Sequence, residues 1–104
     1  QSMPPTPISA LAKTELKTWL EKHPLWRIEG QMLVRSFAAP TFLEGIEFVN
    51  QIARLAEAAD HHPDIDIRWR TFTLRFVTHD AGNQITDKDV KLAQECDLVF
   101  ATLT

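Results

Sequence analysis

A chain of 104 residues with 44% hydrophobic and 24% charged side chains holds one domain with a single modest core. Its formal net charge of −3, with no basic stripe interleaved with aromatics, excludes a surface built for nucleic acid. No apolar run approaches the roughly 18 residues that span a bilayer, so no membrane partner is expected, and nothing at the start reads as a signal peptide.

Gln1 and Ser2 read as an expression remnant ahead of Met3, and residues 1–8 as an extended proline-rich lead-in to a single domain over residues 9–104. Ser9 is a candidate N-cap for a first helix over residues 10–22. Ala12, Leu16, Trp19 and Leu20 fall on one face of it, and His23-Pro24 ends it. His23 stands alone and reads as a helix-end residue rather than a ligand.

Residues 26–29 and 32–38 predict two antiparallel strands joined by a tight turn at Gly30-Gln31. Pro40 closes that unit. Thr41 and Glu44 have capping-box spacing and open a helix that runs to Ala59. It carries two apolar stripes: Phe42, Ile46, Val49, Ala53 and Ala56, and beside them Phe48, Ile52, Leu55 and Ala59. A face that wide needs cover from the first helix or from another subunit.

The stretch over residues 65–77 alternates and reads as a hairpin. Folded about Arg70-Thr71, it sets Trp69 opposite Phe72, Ile67 opposite Leu74 and Ile65 opposite Phe76. The other face then pairs Arg68 with Thr73 and Asp66 with Arg75. The same register sets His62 opposite His79. The competing reading is one unbroken strand, which at about 3.3 Å per residue would hold the two histidine segments roughly 40 Å apart. Arg-Thr is a poor two-residue turn, lacking the Asn or Gly that tolerates positive φ. The apolar face still favours the hairpin.

Residues 80–84 form a loop with turn residues. Thr86, followed by Asp87 and Asp89 near the positive helix end, starts a last helix that buries Leu92, Cys96, Val99, Phe100 and Leu103. Cys96, the only cysteine, can form no disulfide within the chain, which fits a reducing cytoplasm. On that helix it reads as core before nucleophile. The order is α-β-β-α-β-β-α, a two-layer α+β domain with a four-stranded antiparallel sheet backed by helices.

Three of the four histidines lie in Asp60-His61-His62-Pro63 and Thr78-His79-Asp80. Imidazoles that converge in a cleft, with Glu57, Asp60 and Asp80 nearby to fix tautomers, suit a reaction needing an acid and a base. Glu57 lies one helical turn before His61, on the same side if the helix continues. A His-His pair at a helix C-terminus can equally interact with terminal carbonyls and water. A three-histidine metal site is a further reading, although adjacent residues on an extended segment point opposite ways. No serine or cysteine stands near either segment to act as a nucleophile.

Glu57-x-x-x-His61-His62-Pro63, the aromatic Trp69, then His79 and Asp89, resemble the signature of the pterin-4a-carbinolamine dehydratases. The likeness runs from Trp26-Arg-Ile-Glu-Gly30 through Thr78-His-Asp80 to Lys88-Asp89. The chain departs from the pattern at Ile65, where some members have tryptophan, and at Arg70-Thr71, where others have a pair such as Asn-Lys. It also departs in a loop after His79 one residue longer than in animal forms.

The resemblance implies dehydration of a 4a-hydroxytetrahydropterin to the quinonoid dihydropterin, recycling the cofactor of aromatic amino acid hydroxylases. It implies no metal or organic cofactor, in keeping with the lack of a glycine-rich phosphate loop. His61, His62 and His79 carry over as catalytic, with His62 and His79 the acid/base pair and His61 binding or assisting. Glu57, Asp60 and Asp89 carry over as orienting carboxylates. Asp60, His61, His62, Pro63, Thr78, His79 and Asp80 carry over as the pterin-binding residues, with the backbone around Thr78 and Asp80 holding the ring edge. The family also implies a homodimer or homotetramer. A second role on the same fold is a non-catalytic dimerisation or assembly factor, a reading that predicts loss of a histidine; all three are present.

Overall fold

The computed structural model describes residues 13–103. The lead-in, the Ser9 cap and residues 10–12 of the expected first helix lie outside the described residues. The elements are α1 (Lys13–Lys22), β1 (Arg27–Glu29), β2 (Met32–Ala38), α2 (Phe42–Ala59), β3 (Asp64–Arg68), β4 (Thr71–Phe76), a 3-10 turn (His79–Ala81) and α3 (Asp87–Ala101). The strands form one antiparallel sheet in the order β1-β2-β4-β3. This is the α-β-β-α-β-β-α arrangement that the periodicities predict.

Alternation in the two central strands builds the core. Leu33 pairs with Phe76 and Phe37 with Phe72, and these side chains are buried with Leu74 on one face. Onto that face α2 lays Phe48, Ile52 and Ala56, and α3 lays Leu92, Ala93 and Cys96. Gly45 lets α2 approach β4, since a Cβ there would stand 2.0 Å from the Phe72 ring. Burial of Cys96, with Asp97 and Glu95 beside it, pushes its thiol pKa up to about 12, which suits a core residue and not a nucleophile.

Arg35 is the one charged position on the core face of β2. Its guanidinium lies 4.0 Å over the Phe37 ring and donates to Asp97 Oδ1 at 2.5 Å. The other oxygen of Asp97 accepts from Trp26 Nε1 at 2.9 Å. One carboxylate on α3 thereby ties down both the entry to β1 and the middle of β2. Trp26 in turn meets Trp19 of α1, Phe37 and Phe76. His23 ends α1 as expected, stacked on Trp19 and donating from Nδ1 to the Trp19 carbonyl.

The hairpin forms, but its register is displaced by two residues from the expected one. Ile67 faces Phe72, Ile65 faces Leu74, Arg68 faces Thr71, Asp66 faces Thr73 and Asp64 faces Arg75. The turn is Trp69-Arg70, not Arg70-Thr71. Because side chains alternate with period two, a shift of two leaves the apolar face unchanged, and the pattern cannot tell the registers apart. The neighbouring strand decides. Ala38 pairs with Thr71, and just beyond it Ala39 N donates to the Arg70 carbonyl at 2.8 Å while Arg70 Nε donates to the Ala39 carbonyl at 3.0 Å. Those bonds hold Arg70 in the turn and leave the left-handed backbone to Trp69 (φ 53), whose ring is 73% exposed. Asp66 and Arg75 still meet, diagonally, at 4.0 Å.

The caps also differ from expectation. At Thr41 the hydroxyl accepts from Glu44 N and donates to the Glu44 carboxylate, so Glu44 does not cap the Thr41 backbone. The full reciprocal box forms at α3, where Thr86 N donates to Asp89 Oδ2 at 2.8 Å. Among the described residues no helix is long and apolar enough to cross a membrane.

Candidate active site

The end of α2 determines how the first histidines are presented. Asp60 takes a left-handed conformation (φ 50), and the N–H groups of Asp60 and His61 return to the carbonyls of Glu57 and Ala56. This Schellman-type closure stops the helix before His61. The expected Glu57–His61 helical neighbourhood is therefore absent. Glu57 reaches His62 instead, its carboxylate accepting from Nε2 on an exposed surface.

His61 turns inward and is 9% exposed. Its Nε2–H donates to Asp89 Oδ1 at 2.6 Å. Asp89 is fully buried, and its second oxygen accepts from Thr86 N and from the Thr78 hydroxyl at 2.7 Å. A carboxylate only accepts, so the Thr78 proton points to Asp89 and the Thr86 hydroxyl, 2.6 Å away, donates to Thr78. Every donor in this chain has one acceptor. The result holds His61 with no hydrogen-bond partner at Nδ1 among the described residues.

β4 ends at Phe76, and the chain then folds into a small loop closed by a Thr78–Gln84 backbone pair. His79 opens the 3-10 turn within it, and its Nδ1 lies 2.7 Å from Asn83 Oδ1. β3 begins only at Asp64, so His62 and His79 are not cross-strand partners, as the displaced register requires. They meet instead across a loop-lined pocket of about 170 Å³ that Asp60, His61, His62, Val77, Thr78, His79, Asp80 and Lys88 surround.

Of the residues expected to bind substrate, Pro63 does not line this pocket. Thr78 lines it but is engaged elsewhere. Its hydroxyl serves Asp89, its N–H donates to Gln84, and its carbonyl accepts from Ala81 and Gln84. Asp60 lines the pocket, but its side chain orients no imidazole; that work falls to Asp89, Glu57 and Asn83. Among the described residues no three His, Cys, Asp or Glu side chains converge as a metal site requires.

The Pterin 4 alpha carbinolamine dehydratase profile matches residues 9–99. The chain belongs to that family. A Mycolicibacterium smegmatis protein named "Putative pterin-4-alpha-carbinolamine dehydratase" is 45% identical over 94 residues, covering 90% of this chain and 99% of that one. A protein of the same name from Mycobacterium sp. (strain JLS) is 54% identical over 75 residues, 72% of this chain and 79% of that one.

Among solved structures, the transcriptional coactivator/pterin dehydratase from Brucella melitensis superposes with a TM-score of 0.81 at 27% identity. The match covers 88% of this chain and 98% of that one. A pterin dehydratase-like RuBisCO assembly factor of the alpha-carboxysome shares the fold, with a TM-score of 0.60 at 22% identity over 71% of this chain and 87% of that one. Within this pterin dehydratase fold, four residues were not read as part of the site: Val77 and Lys88 on the pocket wall, Thr86 behind Asp89, and Asn83 beside His79. Two of them left a signal: Thr86 by its capping-box spacing to Asp89, and Lys88 by its place in the family likeness.

Proposed function

We propose that the protein dehydrates a 4a-hydroxytetrahydropterin to the quinonoid dihydropterin, with the histidine pocket supplying acid and base. The observation that carries the reading is the convergence of His61, His62 and His79 on one pocket, each ring held by a different partner: Asp89, Glu57 and Asn83. Family membership supports the substrate class.

The reaction removes hydroxide from C4a and a proton from N5, forms the C4a–N5 double bond and releases water. Two groups must therefore act on one small molecule: one delivers a proton to the departing oxygen and another receives the N5 proton. His62 and His79 are both exposed and take these two roles. The buried His61, with Nε2 committed to Asp89, presents Nδ1 as a fixed acceptor and binds the substrate. Asp60, Asp80 and the 79–80 backbone offer acceptors and donors to the polar edge of the pterin ring. Side-chain acid/base chemistry suffices for this dehydration, so the proposal includes no metal or organic cofactor.

The same reading has the enzyme recycling the tetrahydropterin cofactor of aromatic amino acid hydroxylases. A cytoplasmic site of action suits the one free, buried cysteine. Self-association as a homodimer or homotetramer suits the apolar side chains left in solvent along β3 and at the start of α2: Ile65, Ile67, Phe42 and Leu43. The test is to generate the carbinolamine in situ and follow quinonoid dihydropterin formation. A rate well above spontaneous dehydration is expected, and a rate equal to it would overturn the proposal.

A further inference from the structure

We propose that Asn83 is a positioning residue for His79, fixing its tautomer so that Nε2 is the atom that exchanges a proton with the substrate. The inference rests on the dehydratase reading for its catalytic half and on geometry for the rest. The Asn83 carbonyl oxygen lies 2.7 Å from His79 Nδ1. An amide oxygen only accepts, so Nδ1 carries the hydrogen and the neutral ring keeps its lone pair on Nε2. Nε2 has no hydrogen-bond partner among the described residues.

The loop is built to deliver that amide. Thr78 N donates to Gln84 O at 2.9 Å and Gln84 N to Thr78 O at 3.3 Å, which closes the loop at its base. Ala81 N and Gly82 N turn back onto the carbonyls of Thr78 and His79. Gly82 (φ 73) and Asn83 (φ 59) then take the left-handed conformation in succession and bring the Asn83 side chain back to the ring. Asparagine is among the few side chains that accept this backbone at low cost, so one residue supplies both the turn and the acceptor.

Pinning matters because of where His79 stands. Its ring borders the pocket shared with His61 and His62, and also a neighbouring cavity of about 450 Å³ lined by Glu29, Gln31 and Asn83. An exposed ring without a partner changes rotamer in picoseconds to nanoseconds and would turn between the two spaces. The choice of an amide is also chemical. His61 and His62 are each held by a carboxylate, whereas the neutral amide fixes the orientation and tautomer of His79 without placing a charge beside its ring. The charged and titratable groups that face His79 are then Asp60, Asp80, Lys88, His61 and His62 on one side and Glu29 on the other.

Asn83→Gly and Asn83→Asp test the inference, since both residues tolerate the left-handed backbone and only Asp retains an acceptor. In the wild type, imidazole nitrogen NMR is expected to give the Nδ1–H tautomer for His79. The Gly variant is expected to lose it and to lower kcat by roughly ten- to a hundredfold, by analogy with the loss seen when the partner orienting a metal-bound imidazole is removed, with little change in KM. The Asp variant is expected to keep the tautomer and most of the turnover, while the pH–rate limb that reports His79 moves to higher pH. An Nε2–H tautomer in the wild type overturns the proposal, because the amide would then be donating. So does a Gly variant with unchanged tautomer, or one with a changed tautomer and unchanged kcat. A wild-type protein that does not dehydrate the carbinolamine refutes the functional reading instead, and the NMR spectra still decide whether Asn83 sets the ring.

Discussion

Asp89 and the exposed histidines have opposite relations to stability. Asp89 is fully buried and accepts from His61, Thr78 and the Thr86 backbone. Each buried donor left without an acceptor costs about 1–3 kcal/mol, so Asp89→Ala, which orphans His61 Nε2–H and the Thr86 N–H, is expected to destabilise by about 2–6 kcal/mol. Urea unfolding measures this, and a change under roughly 0.5 kcal/mol, the scatter of ordinary surface substitutions, would mean the network is not formed. Asp89→Asn keeps the shape but offers one oxygen to donors on two sides. It is expected to fold with intermediate stability and to disturb the His61 tautomer. His79→Ala removes an exposed ring bonded to a loop amide and is expected to leave the unfolding midpoint almost unchanged. The pterin dehydratase signature made Asp89 legible as an orienting residue. Its partner did not follow from the sequence, because the spacing that set Glu57 beside His61 assumed a helix that Asp60 ends.

At the scale of elements, close approach and register decide what pattern alone leaves open. Alanine is the better helix former, by about 1 kcal/mol over glycine, yet Gly45→Ala is expected to destabilise. The added methyl would stand 2.0 Å from Phe72, whose ring is fully buried between α2 and β4 and cannot swing away. Overpacking of that kind costs roughly 1–3 kcal/mol, which outweighs the propensity gain. Thermal unfolding checks it, and a higher Tm for Gly45→Ala would contradict the packing described. Most of the fold could be read from the sequence at this scale. The limits of β2 and α2, the Gly30-Gln31 turn and the start of α3 follow from alternation, helical spacing and caps. The β3–β4 register did not, because period-two patterns are blind to a shift of two and the bonds between Ala39 and Arg70 are tertiary.

The molecule as a whole exposes an apolar edge. Ile65 and Ile67 on β3 are 36% and 41% exposed, and Phe42 and Leu43 at the start of α2 are 47% and 67% exposed. Apolar area is worth about 25 cal/mol per Å² when removed from water, and among the described residues β3 is an edge strand of the sheet. Sedimentation at micromolar concentration is expected to give a dimer or tetramer mass, and a monomer mass would contradict self-association. The pocket is likewise a property of the whole chain. It joins the end of α2 to the loop after β4 across the start of α3, and the sequence named most of its walls only through a family signature. Val77 and Lys88 enter by tertiary placement, which no spacing rule encodes, while Asn83 stands behind His79 through a contact within one loop. The central claim is that His62 and His79 are the acid and base of a pterin dehydration. Its most direct measurement is quinonoid dihydropterin formation from carbinolamine generated in situ, comparing wild type with His61→Ala, His62→Ala and His79→Ala. Turnover above the spontaneous rate is predicted to fall roughly 10²–10⁴-fold in His62→Ala and in His79→Ala, while His61→Ala weakens substrate binding more than it slows the chemistry. Equal, small losses in all three variants would contradict the assignment.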